Sequence, residues 1–187
     1  PHEANLAGIA MIHQELSLVP SVSVAANVML GHEPRGRFQL LRVGEMHRRA
    51  AQLMAELDTP VDVGRRIEEF SIAVQQMTEV AKALSLRASL IIMDEPTSAL
   101  AEAEVRKLFG TIGSLRDRGV AIVYISHKMD EIYAISERIT VLRDGERVGT
   151  ANATELPQEQ LIQWMVGRKI EQLFPRREAR SGEEVLR

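Results

Sequence analysis

Two adjacent carboxylates follow an apolar run in the middle of the sequence. Asp94 and Glu95 come directly after residues 90–93, which we predict to be a strand buried on both faces. Ligands of parallel sheets bind at the carboxyl ends of the strands. An aspartate there could hold Mg²⁺, usually through water, and the next glutamate could accept a proton from a water attacking a phosphoryl group. A short acidic turn that only caps the next helix is the alternative.

Three further polar residues occupy similar positions. His127 follows the predicted strand 120–125, and its imidazole could donate a hydrogen bond to a terminal phosphate. Gln14 ends a third strand-like segment, and its amide could orient a water or bind Mg²⁺. Ser71 is a plausible N-cap, and a helix N-terminus can bind phosphate. Each of them alone is commonly a surface histidine, a loop glutamine or an ordinary cap.

The periodicity of apolar residues predicts the elements that position these groups. Strand-like segments alternate with helices in the second half of the chain, which predicts a parallel sheet with helices against it. Residues 20–87 are mostly helical, so the predicted fold class is α/β with a helical subdomain. The predicted helices cover residues 23–31, 44–57, 71–86, 102–118 and 130–136. Asp144-Gly145 predicts a tight hairpin turn, and Pro157 predicts the start of a last helix that ends near Gly167.

Composition limits the class of protein. The chain has 187 residues, 45% hydrophobic and 26% charged, with a formal net charge of -3. The absence of a Lys/Arg block gives no indication of a nucleic-acid partner, and the absence of cysteine excludes a disulfide framework. No apolar run approaches the ~18 to 20 residues of a membrane span, so we expect any link to a membrane to come through a partner. The first residue is Pro1, from which we expect the chain to start inside a longer protein.

The order of these motifs resembles that of an ABC ATPase. The segments IIMDEPTSAL, YISHKMDEI and ITVLRDGERVG are similar to the Walker B strand with its D-loop, the H-loop and the following hairpin of that family. MIHQELSLVPSVSVAANVMLG, QQMTEVAKALS and LIQWMVGRKI resemble the tandem ATPases of monosaccharide importers of the ribose and galactose type. The resemblance implies a P-loop NTPase-like ABC ATPase core with a mostly parallel sheet and a helical subdomain, incomplete at the N-terminus.

The resemblance also implies a role for each candidate residue, with ATP and Mg²⁺ as cofactors. Asp94 would coordinate Mg²⁺ together with Gln14, and Glu95 would polarise the attacking water. His127 would contact the γ-phosphate, and Gln14 would sense it and relay its presence to a membrane subunit. Ser71 lies in the signature motif and would close the nucleotide site of an opposite domain.

By the same resemblance, the chain divides into four parts. Residues 1–19 would end a core segment with the Q-loop, and 20–88 would form the helical subdomain with the signature motif. Residues 89–170 would carry Walker B, D-loop and H-loop, and 171–187 would be a linker and the start of a second ATPase domain. The expected partners are membrane-spanning permease subunits, a second ATPase domain in the same polypeptide or in a dimer, and indirectly a sugar-binding protein. The expected place is the cytoplasmic face of the membrane, and the expected function is ATP-driven monosaccharide import.

Three departures from the family pattern keep alternatives open. The sequence contains no G-x-x-x-x-G-K-[ST] loop, so we expect this chain alone to be inactive. The signature reads FSIAV, with Ala73 and Val74 in place of the usual glycine and polar residue, and Ala101 stands where many members have an aspartate. A non-catalytic module that docks on a membrane subunit or a partner ATPase is therefore the main alternative. A soluble ATPase of DNA repair or translation is a weaker one, because neither large insertions nor a basic surface is visible.

Overall fold

The computed structural model describes residues 2–167. These residues form two compact units, divided after Ile135. The predicted linker and second-domain start at 171–187 lie outside the described residues and stay a prediction.

The first unit contains a three-stranded sheet, six helices and two short 3₁₀ turns at Arg37–Gln39 and Ile67–Glu69. In chain order, the helices and strands are α1 His2–Leu6, β1 Ile9–Ile12, α2 Val24–Val28, α3 Val43–Glu56, α4 Ile72–Ser85, β2 Leu90–Asp94, α5 Glu102–Asp117, β3 Ala121–Ile125 and α6 Met129–Ile135.

The sheet has the order β1-β2-β3, and both pairs of strands are parallel. Ile12 pairs with Met93, and Asp94 pairs with Ile125, so the three strands end close together. This topology confirms the predicted parallel sheet with helices inserted between its strands. Because all three carboxyl ends lie at one edge, the residues that follow them share that edge.

The core of this unit is formed by alternate strand residues and the apolar sides of the helices. Ile12, Ile91 and Met93 are completely or almost completely buried in one cluster with residues of α4 and α5, including Val80 and Leu108. Their burial follows from the two-residue period of a strand, which sends alternate side chains to one face.

The opposite face of β3 differs from the sequence-based prediction. The apolar run at residues 120–125 predicts a second buried strand, yet Val123 and Ile125 are exposed, as is Met11 of β1. The prediction of a buried β3 is therefore wrong within residues 2–167. The physical reason is that the apolar run reports hydrophobicity alone, whereas burial also needs a layer that covers the face.

The helical segment between β1 and β2 is held by capping and buried polar contacts. The Ser23 hydroxyl accepts a hydrogen bond from the Ala26 N–H at 3.1 Å and caps α2. The side chain of the buried Asn27 makes two hydrogen bonds to the main chain of Val19. Its Oδ1 accepts from the Val19 N–H at 2.7 Å, and its Nδ2 donates to the Val19 carbonyl at 3.1 Å. These contacts fix the chain that enters the helices after β1.

Within residues 136–167, the second unit contains a hairpin and a helix. β4 Arg138–Arg143 and β5 Glu146–Asn152 are antiparallel, and α7 spans Gln158–Val166. Asp144 and Gly145 both have positive φ, 53° and 81°, which confirms the tight turn predicted from their sequence. Gly167 ends α7 in the left-handed conformation. No helix within residues 2–167 combines the length and the hydrophobicity that a membrane span requires.

Candidate functional site

Three of the predicted site residues meet at the carboxyl edge of the sheet. The Gln14 amide nitrogen lies 3.4 Å from Glu95 Oε2, and His127 Nδ1 lies 2.8 Å from Glu95 Oε1. Gln14 follows β1, Glu95 follows β2 and His127 follows β3. The structure therefore places Glu95 between the other two, as the parallel topology requires.

The backbone at Glu95 orients its carboxylate at this edge. The Glu95 N–H donates to the Ile125 carbonyl at 2.9 Å, which continues the pairing of β2 and β3 by one hydrogen bond. Glu95 then adopts φ of 44°, in the left-handed region that a side chain rarely occupies. The chain thus leaves the sheet abruptly, and consecutive carboxylates Asp94 and Glu95 occupy different environments.

The contact between His127 and Glu95 relates the histidine tautomer to the charge of the carboxylate. When the Glu95 carboxylate is ionised it only accepts hydrogen bonds, and Nδ1 is then the donor in this contact. Nε2 of the neutral ring is then an acceptor, and it donates only when the ring is protonated or reorients. The side chain of His127 is 67% exposed, against 28% for Glu95, so the imidazole borders solvent and has room to reorient.

Asp94 ends β2 and is half-buried, opposite Ile125. Its carboxylate has no hydrogen bond or ion pair within residues 2–167. No group of three or more His, Cys, Asp or Glu side chains in that range could hold a metal by itself. Mg²⁺ keeps several waters and binds through one or two carboxylates plus substrate phosphates, so an unpaired Asp94 at the carboxyl end of β2 fits such an ion.

Ser71 has a different position from the other candidates. It is the N-cap of α4, as predicted, and its hydroxyl accepts from the Val74 N–H at 3.5 Å. None of its hydrogen bonds within residues 2–167 involves Gln14, Glu95 or His127. Its predicted action on an opposite nucleotide site requires another domain, and it stays a prediction.

A buried carboxylate behind the site was not singled out from the sequence. Glu131 of α6 accepts hydrogen bonds from the Tyr124 hydroxyl at 2.7 Å and from the Thr97 hydroxyl, which is 2.8 Å from both carboxylate oxygens. The Ser126 hydroxyl lies 3.3 Å away and Lys128 Nζ 3.1 Å away. We call these five residues the Glu131 cluster. The sequence does contain one sign of this cluster, which is Tyr124 at an inward position of an otherwise aliphatic strand. A buried tyrosine hydroxyl needs a hydrogen-bond partner.

Opposing effects act on the ionisation of this cluster. Burial raises the pKa of Glu131, but the hydrogen bonds from Tyr124 and Thr97 and the charge and hydrogen bond of Lys128 together hold it below its ordinary value of 4.5. Burial raises the pKa of Tyr124, and the hydrogen bond to Glu131 raises it further. At neutral pH the cluster therefore contains an ionised carboxylate and a neutral phenol.

The chain is similar in sequence to known ABC transporter proteins. Residues 2–98 match the family described as ABC transporter. The chain is 46% identical, over its whole length, to the ribose import ATP-binding protein RbsA of Geobacillus kaustophilus (strain HTA426), of which it covers 38%. It is also 46% identical, over its whole length, to a putative ribose/galactose/methyl galactoside import ATP-binding protein of Agrobacterium fabrum (strain C58 / ATCC 33970), of which it covers 36%. The chain thus spans somewhat more than a third of the length of these curated relatives.

Solved structures share the fold at low sequence identity. One ATP-binding cassette of an ABC transporter superposes with a TM-score of 0.73 at 19% identity, over 88% of this chain and 69% of the other. Another, a dimeric cassette described as bound to ADP and phosphate, gives 0.68 at 23% identity, over 81% and 66%. The chain belongs to the ABC transporter family, and its fold is that of an ABC ATPase core.

Proposed function

We propose that the full-length polypeptide carrying this sequence hydrolyses ATP and couples the hydrolysis to import of a monosaccharide. The convergence of Gln14, Glu95 and His127 at the carboxyl edge of the sheet carries this proposal. The names of the relatives, which are sugar import ATP-binding proteins, support the transport role.

Each residue at the edge has a part in this proposal. Glu95 accepts the proton of the attacking water, since it is the carboxylate that both neighbours orient. His127 donates a hydrogen bond to the terminal phosphate when its ring reorients or is protonated. Asp94 and the Gln14 amide oxygen would hold Mg²⁺, which supplies positive charge against the phosphates. The phosphate-binding loop is not among the residues of this sequence, so the proposal concerns the full-length polypeptide.

The partners and the place follow from the transport role. Membrane-spanning permease subunits would contact the helical segment of residues 20–57, with the protein at the cytoplasmic face of the membrane. Ser71 would contact the nucleotide that is bound by a second ATPase domain, in the same polypeptide or in a dimer. The proposal also includes the division of the chain into four parts, with boundaries after residues 19, 88 and 170.

The first test replaces the proposed base in the full-length polypeptide. We expect Glu95→Gln to keep ATP affinity, because the amide has nearly the same shape, and to lower turnover by about 10²-fold or more, because it cannot accept the proton. ATP binding is measured by calorimetry and turnover by phosphate release. Glu102→Gln is the matched control, since the Glu102 side chain is 96% exposed at the start of α5.

Two outcomes would contradict the proposal. Unchanged turnover in Glu95→Gln would remove Glu95 from the role of base. An unsubstituted full-length protein that binds its partners without hydrolysing ATP would favour the non-catalytic docking module. Uptake of labelled ribose or galactose by cells that depend on the protein tests the import role separately.

A further inference from the structure

Glu131 links the two loops that carry the reactive side chains. Thr97 lies two residues after Glu95, and Ser126 and Lys128 flank His127. All three contact the Glu131 carboxylate, although Thr97 is 34 residues away in sequence. One buried carboxylate therefore holds the turn after β2 and the loop after β3 at the same time.

Further hydrogen bonds within and between these two loops restrict their movement relative to each other. The Lys128 N–H donates to Ser126 Oγ at 3.1 Å, which closes a tight turn around His127. Lys128 Nζ also lies 3.3 Å from Thr97 Oγ1, so the two loops touch each other directly. Thr97 is 2% exposed and Glu131 8%, so water does not compete freely for these bonds.

We propose that Glu131 is a positioning residue, which fixes the His127 loop against the turn after Glu95 so that His127 Nδ1 meets the Glu95 carboxylate. The observation behind it is that Glu131 accepts hydrogen bonds from both loops within one buried cluster. The consequence for turnover rests on the proposed function, because it requires Glu95 and His127 to act on ATP. Glu131 itself contacts neither of them.

The alternative is that Glu131 only stabilises the fold. A purely structural role would lower the melting temperature without a selective effect on turnover. A positioning role would lower kcat while ATP affinity is kept, because a misplacement of about 1 Å can cost ~10²-fold in rate. The two roles therefore differ in the split between kcat and KM.

The experiment uses Glu131→Gln in the full-length polypeptide, which keeps the side-chain shape but removes the charge and one of the two acceptor oxygens. We expect kcat to fall about tenfold or more with KM for ATP within about twofold. Thr97→Val should also lower kcat, and Thr97→Ser, which keeps the hydroxyl, should retain more turnover than Thr97→Val. Ile112→Val is the stability control, because it trims a buried α5 side chain outside the cluster and should leave kcat unchanged.

A second readout is independent of turnover. The imidazole nitrogen resonances of isotope-labelled His127 report the hydrogen bond of Nδ1. We expect Glu131→Gln to shift them toward those of a solvent-exposed histidine, and Ile112→Val to leave them unchanged. This measurement needs neither ATP nor hydrolysis.

The two readouts separate the two proposals. If the unsubstituted protein has no turnover but Glu131→Gln releases His127, the proposed function fails and the positioning role stands. If turnover is present and Glu131→Gln changes neither kcat nor the His127 resonances, the positioning role is overturned. A fall in kcat that Ile112→Val reproduces would also overturn it.

Discussion

The first unit contains two buried glutamates that hold different segments next to predicted site residues. Glu131, 8% exposed, binds the loop around His127 and the turn after Glu95. Glu79 of α4, 3% exposed, accepts from the main-chain N–H of Ser17 at 2.7 Å and from its hydroxyl at 2.9 Å. Glu79 thereby ties the segment after Gln14 to the helix that Ser71 caps.

The surroundings of the two carboxylates differ in access to water. The oxygens of Glu131 are enclosed by hydroxyl donors and Lys128. Glu79, Ser17 and Lys82 instead line a cavity of about 140 Å³. A polar cavity of that size can hold a water that replaces a lost partner. Although Glu79 is the less exposed of the two carboxylates, the cavity beside it leads us to expect that water replaces its lost contacts more readily than those of Glu131.

The largest expected effect comes from removing each carboxylate. We expect Glu131→Ala to lower the free energy of unfolding by about 3 kcal/mol, since breaking a buried charged network leaves its donors unpaired. Glu79→Ala should cost only about 1 kcal/mol, because water can reach the Ser17 N–H. Urea unfolding of the full-length variants measures both. A cost for Glu79→Ala equal to that for Glu131→Ala would contradict the difference in water access.

A smaller effect is expected on the pH dependence of stability. Because the folded pKa of Glu131 lies below its ordinary 4.5, its ionised form stabilises the protein above that pH, and this contribution is lost as the pH falls through the folded value. Glu131→Gln does not titrate. We therefore expect the melting temperature of the unsubstituted protein to exceed that of Glu131→Gln by about 2 to 4 °C at pH 6, and this gap to narrow below about pH 4.5. A gap that is constant from pH 6 to pH 4 would show that the charge of Glu131 does not contribute.

A third comparison concerns single hydroxyl groups. We expect Ser17→Ala to lower the unfolding free energy by about 0.5 to 1 kcal/mol, because the main-chain N–H of Ser17 still reaches Glu79. Tyr124→Phe, the corresponding deletion at Glu131, should cost about 1.5 to 3 kcal/mol, since it removes a bond to a charged acceptor without a main-chain donor beside it. Equal costs in the same unfolding assay would show that the two sites respond alike.

Local patterns in the sequence predicted much of the fold. The helix predicted at 44–57 is α3, Val43–Glu56, and the one predicted at 102–118 is α5, Glu102–Asp117. These helices have clear apolar faces, and their periodicity sets their ends to within a residue or two. The short α1, His2–Leu6, was not predicted, because five residues are too few to show a period.

The candidate site was predictable only where it depends on strand ends. Gln14, Glu95 and His127 each follow a strand, so parallel topology alone brings them together. Glu131 lies in a short helix, and its partners come from the turn at Thr97 and from residues 124–128, so its role depends on tertiary packing that no local pattern contains. The exposure of Val123 depends in the same way on what covers the sheet.

The left-handed backbone at Glu95 has a consequence for the evolution of the chain. A side chain in that conformation costs roughly 1 to 2 kcal/mol relative to glycine. Selection for thermal robustness alone would favour glycine or asparagine at this position. On the proposed function, a glutamate there trades stability for activity, and stabilised variants of the protein should be sought away from it.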